Sequence, residues 1–213
     1  GKHVGLEKPM ALNAEECRVL IGLADEAGRA LSVAENFRFI PAYVEIKRAL
    51  DAGELGQIRL VRAFLYGSAI ENYARPDSGW RREPGGVGAL IDAAPHLFYL
   101  LRWLFGDVAQ LQAGTRHWVR DNRVPELEVE DGAVVTGRLA GGAHFTAECA
   151  MGVEVPWGER IEVYGDTGSL IADQLAEHPL VAYPNASAQA VPVAAVAHEA
   201  PEWGTASITA AAR

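Results

Sequence analysis

Asp92 and His96 stand four residues apart, just ahead of Leu97, Phe98, Leu100, Leu101 and Leu104. On a regular helix that separation puts both side chains on one face. A carboxylate beside an imidazole is then either a surface ion pair, which contributes little, or a buried pair, which is costly unless it has partners or a task. The apolar residues that follow favour burial. A histidine held there can act as a general base, because the ordinary pKa of an imidazole lies near neutrality. Pro95 complicates the geometry, since proline removes a backbone donor and starts or kinks a helix.

A second candidate is Lys8, one of only three lysines among 19 basic residues. It belongs to Glu7-Lys8-Pro9, which closes the short apolar run 3–6. That run reads as a buried strand stopped by proline. A cation at the carboxyl end of such a strand occupies the edge where open α/β sheets bind ligands. A solvated surface lysine is the plainer alternative.

These residues need a scaffold. Asn13 with Glu16 is a helix start, Val19, Leu20, Leu23, Ala24 and Ala27 recur at helical spacing, and Gly28 is a stop. Residues 30–34 read as a second strand, so the first thirty-odd residues form one βαβ unit with parallel strands. A second helix is expected from Pro41 to Gly53. Beyond it, strand-like runs at 57–66, 108–118, 133–139, 143–149, 160–164 and 169–172 surround a helix containing 97–105. The turns 140–142 and 165–168 suit hairpins. The expected fold is α+β: a large, mostly antiparallel open sheet with helices on one face, preceded by the βαβ unit. An alanine- and proline-rich tail, 184–213, has no sustained period.

Composition narrows the chemistry. The 213 residues are 49% hydrophobic, enough for a full core, and carry a formal charge of -9. That balance argues against a nucleic-acid or anionic-membrane partner. Cys17 and Cys149 lie far apart in apolar-rich segments and read as buried free thiols. His3, His117, His144, His178 and His198 have no metal-ligand spacing. No apolar run has the length of a membrane span and the first residues lack a signal-peptide layout, so a cytoplasmic location is expected. The nearest approach to a dinucleotide fingerprint, 86–91, lacks the third glycine and follows no strand.

Four segments, in order, resemble one family. Residues 1–12 with Glu7-Lys8-Pro9, residues 34–41 (AENFRFIP), residues 85–96 (GGVGALIDAAPH) with 100–106 (LLRWLFG), and residues 161–170 (IEVYGDTGSL) are similar to the glucose-fructose oxidoreductase/inositol dehydrogenase/MocA (Gfo/Idh/MocA) oxidoreductases. The resemblance runs to about residue 173. It implies that 1–35 are the last part of a Rossmann-type cofactor domain, and 36–183 a substrate-binding and oligomerisation domain.

The resemblance also implies roles. Hydride would pass between a sugar or cyclitol hydroxyl and NAD or NADP, with His96 as base, Asp92 supporting it, and Lys8 stabilising the alkoxide between nicotinamide and substrate. A cis Lys8–Pro9 bond is implied as well. Glu7, Lys8, Pro9, Asn36 and Arg38 become cofactor contacts. Trp80 and Arg81 either line a sugar pocket or pack at the rim of the core. Without the glycine turn, the chain is expected to bind neither NAD nor NADP tightly. Self-association into a homodimer or homotetramer through an uncovered apolar sheet face is expected. Two other functions fit the same residues: an NAD-dependent glycosidase using transient oxidation, and a non-catalytic assembly fragment.

Overall fold

The computed structural model describes residues 1–68, 81, 85–118, 127–185 and 189–193. Strand β1 (Val4–Glu7), helix α1 (Ala14–Glu26) and strand β2 (Leu31–Ala34) form the expected βαβ unit. The two strands pair in parallel, Val4 opposite Leu31 and Glu7 opposite Ala34. Asn13 caps α1: its side chain accepts from the Glu16 backbone N–H at 2.9 Å, while Glu16 reaches back to the Leu12 N–H at 3.0 Å. No residue of α1 is buried, and Val19 and Leu23 are each more than half exposed.

A short 3-10 turn (Phe37–Phe39) leads into α2 (Pro41–Asp51), which opens on its proline. Next come β3 (Ile58–Tyr66), the single turn α3 (Ala89–Asp92), and α4 (Ala94–Phe105). Leu97, Leu100, Leu101 and Leu104 make the buried stripe of α4, and Gly106, at φ 84, ends it. The remaining strands are β4 (Val108–Arg116), β5 (Gly132–Leu139), β6 (His144–Ala150), β7 (Gly158–Gly165), β8 (Gly168–Asp173), β9 (Leu180–Pro184) and β10 (Val191–Pro192).

They form one eight-stranded sheet in the order β10-β9-β8-β7-β3-β6-β5-β4. Every pairing is antiparallel except β3 with β6. Alternation sorts the two faces. Val61, Ala63 and Leu65 of β3, Ile161 and Val163 of β7, and Phe145 and Ala147 of β6 point to the core shared with α2 and α4. The fold is the α+β open sheet expected, with the hairpins where the glycine turns suggest them.

Two features differ. The sheet runs two strands beyond β8, and the second of them enters the segment read as a loose tail. Val191 and Pro192 pair with Ala182 and Val181 in the last strand of the sheet among the described residues, an edge position that tolerates proline. The face turned away from the helices is also less apolar than expected. It carries Arg62, Tyr66, Glu148, Arg160 and Tyr164 around Glu162, which accepts from Arg62 (3.2 Å), Arg160 (2.7 Å) and Tyr164 (2.8 Å) and is 3% exposed.

Candidate active site

The carboxyl ends of β1 and β2 meet the α3–α4 corner. Lys8 follows the last residue of β1 and is joined to Pro9 by a cis peptide bond. Its ammonium donates to the Asp92 backbone carbonyl at 2.6 Å and to Asp92 Oδ1 at 3.1 Å. Arg81 Nε donates to Asp92 Oδ2 at 2.9 Å. Both oxygens of this 6% exposed carboxylate are therefore engaged by cations. Burial by itself would raise the Asp92 pKa. The charge of Lys8 and the hydrogen bond and charge of Arg81 outweigh it, holding the group below the ordinary carboxylate value. Asp92 is an anion fixed between two cations, and not a proton acceptor at neutral pH.

His96 takes a different partner from the one its spacing suggests. Nδ1 lies 2.9 Å from Glu35 Oε1 and 2.8 Å from Glu35 Oε2. The ring stacks on Phe37 with centroids 4.0 Å apart and planes 4° from parallel. Asp92 and His96 are not on one continuous helix. Asp92 ends α3, Ala93 stands between, and α4 begins with Pro95 in its first turn, where the missing N–H costs nothing. The one-face argument fails at that break. The carboxylate at the carboxyl end of β2 takes the place expected of Asp92.

Beside Lys8 and Glu35 lies a cleft of about 310 Å³, lined by Lys8, Val33, Glu35, Ile91, Pro95 and Tyr99 among others; His96 and Asp92 adjoin it through Pro95 and Ile91 and do not line it. That volume is at the small end of the range for small-molecule sites. Pro9 also lines it, and so does Cys17, a free thiol only partly buried. The expectation of a buried Cys17 does not hold, because α1 is uncovered. Glu7 is exposed. Asn36 precedes the 3-10 turn, its carbonyl accepting from the Phe39 N–H at 3.0 Å, and Arg38 lies over the Phe39 ring at 4.8 Å; neither lines the cleft. Trp80 lies outside the described residues. Among the described residues, no group of three or more His, Cys, Asp or Glu side chains could hold a metal ion, and no helix is long and apolar enough to cross a membrane.

A further buried acid feels the charge of Glu35. Glu159 is 3% exposed on the core side of β7, hydrogen-bonded to the Tyr43 hydroxyl of α2. Burial, opposed by the Tyr43 bond and aided by the charge of Glu35, pushes its pKa up to about 8. Its Oε2 has no hydrogen-bond partner among the described residues. An ionised carboxylate would be stranded there.

Most of the sheet, with Asp92 and His96, falls within a known domain: residues 43–171 match the GFO/IDH/MocA C-terminal domain. The chain belongs to that family. An uncharacterized oxidoreductase of Synechocystis sp. is 34% identical over 183 residues, which are 80% of this chain and 48% of that protein. Inositol 2-dehydrogenase 1 of Saccharopolyspora erythraea is 28% identical, over 80% of this chain and 47% of its own length. A solved levoglucosan dehydrogenase in complex with NADH superposes with a TM-score of 0.77 at 25% identity, over 91% of this chain and 55% of that one. This member of the family thus spans about half the length of the curated relatives it matches.

Proposed function

We propose that the intact protein is an NAD(P)-dependent dehydrogenase acting on a hydroxyl of a sugar or cyclitol, with Lys8 and His96 in contact with the reacting group. The observation that carries this reading is the meeting, at the carboxyl ends of two parallel strands, of an ammonium with a cleft of small-molecule size, whose Glu35 wall holds the imidazole of His96. Relatives named for inositol and levoglucosan support the substrate class. A nicotinamide cofactor, when bound, supplies the hydride acceptor. Lys8, Pro9 and Val33, which line the cleft, would face that cofactor.

His96 takes the proton of the substrate hydroxyl, and Lys8 stabilises the oxygen as negative charge develops. Asp92 holds the Lys8 ammonium in place through its backbone carbonyl and Oδ1. We also infer that residues 1–35 belong to the cofactor-binding part and 36–183 to the substrate part. This is supported by the separate two-stranded sheet and by the uncovered apolar side chains of α1.

The test uses the intact protein, with reduction of NAD or NADP followed on inositols and sugars. Lys8→Ala and His96→Ala should each lower kcat by about 10²- to 10⁴-fold with little change in melting temperature. Variants that unfold earlier while their surviving molecules keep near-normal turnover would overturn the assignment.

A further inference from the structure

We infer that Glu35 is a positioning residue for His96: it holds the imidazole with its proton on Nδ1, leaving Nε2 as the nitrogen that accepts a proton from substrate. This rests on the reading of His96 as the base.

The geometry is specific. An ionised carboxylate can only accept hydrogen bonds, so an imidazole nitrogen placed 2.8–2.9 Å from both of its oxygens must carry the proton. In a neutral ring the lone pair then sits on Nε2. That nitrogen has no hydrogen-bond partner among the described residues. The carboxylate itself is anchored, since the Phe37 N–H donates to Glu35 Oε1 at 3.1 Å. Phe37 thus holds the acid with its backbone and the plane of the imidazole with its ring. The side chains of His96 and Glu35 are only 13% and 8% exposed, so water competes weakly for the pair.

The other acids near the site do not offer an alternative. Asp92 has both oxygens committed to Lys8 and Arg81. Glu159, facing the same region from β7, is engaged by the Tyr43 hydroxyl and held toward its neutral form. A carboxylate on Nδ1 orients the ring and stabilises the imidazolium formed when Nε2 takes a proton.

The ring proton can be located directly in this 213-residue chain by long-range proton–nitrogen correlation on ¹⁵N-histidine-labelled protein, with the His96 signals assigned by their absence from His96→Gln. At a pH where the ring is neutral, the proton should be on Nδ1, and Glu35→Ala should move a large share of it to Nε2 while the other five histidines keep their spectra. A wild-type ring protonated on Nε2 overturns the proposal without any variant having to fold. So does an Nδ1 proton that Glu35→Ala leaves in place.

In the intact protein Glu35→Ala should lower kcat by about 10- to 10³-fold, with a smaller change in KM, and shift the acid limb of the pH–rate profile. A normal kcat in Glu35→Ala beside an inactive His96→Gln overturns the proposal. If Glu35 governs the ring proton but His96→Gln retains full rate, Glu35 does set the tautomer, and it is the general-base reading that falls.

Discussion

An ionised Glu159 would place a charge at the sheet–helix interface with one oxygen unpaired. Its pKa in the folded chain is raised to about 8 from an ordinary 4.5, so between those values the folded state holds a proton that the unfolded state releases. The stability this contributes is complete below the unfolded value and is lost as pH rises through the folded one. Urea unfolding at about pH 5 and about pH 9 should show a loss on the order of a few kcal/mol, and Glu159→Gln should flatten that dependence. Equal slopes in the two proteins would mean that this carboxyl is not the titrating group. The same residue scale shows where the sequence runs out as a guide. Lys8, Asp92 and His96 are recognisable from the motifs they occupy and do gather at one corner, where Arg81, read only as a pocket or rim residue, joins Asp92. Glu35 lies in the recognised segment 34–41, but nothing in that pattern singles it out as the partner of His96. Its partner is 61 residues away, and only the folded chain brings the carboxyl end of β2 against α4.

At the scale of elements, close approaches of backbone to backbone set limits that side-chain patterns do not reveal. Gly165 ends β7, and a Cβ added there would lie 1.9 Å from the Leu55 carbonyl oxygen. Gly165→Ala should therefore destabilise the chain by about 2 kcal/mol or more, read from denaturant midpoints. Gly141→Ala is the control, because a Cβ there meets nothing within 4 Å. A Gly165→Ala protein as stable as this control would show that the 55–57 connection yields freely. Strands β3 and β5 to β8 could be read from alternation because one face of each packs on α2 and α4. Strands β9 and β10 could not: they lie at the edge, where partial burial leaves no regular period. The break at Ala93 was signalled by Pro95, but not which of the two turns would hold Asp92.

For the molecule as a whole, the sheet has helices on one face and a mixed polar and aromatic surface on the other. Tyr66, whose hydroxyl donates to Glu148 at 2.6 Å, lies beside Phe64 and the Arg62–Glu162–Arg160 cluster. A face with aromatic area and fixed charge pairs suits a symmetric contact with a second copy. Light scattering should give a dimer or larger species, and a monomer mass from high dilution to high concentration would refute this. The strand order was not legible from the sequence, since the parallel β3–β6 pair joins segments that are far apart in the chain, with two helices and two strands between them among the described residues. That pair also decides when the molecule can be completed. Ala63 has Ala147 on one side and Ile161 on the other, so the middle of the sheet emerges from the ribosome long before either neighbour exists. Until Gly165 is made, the nine residues of β3 present an unsatisfied edge to every other nascent or misfolded chain, and aggregation rather than slow closure is the hazard of an interrupted synthesis.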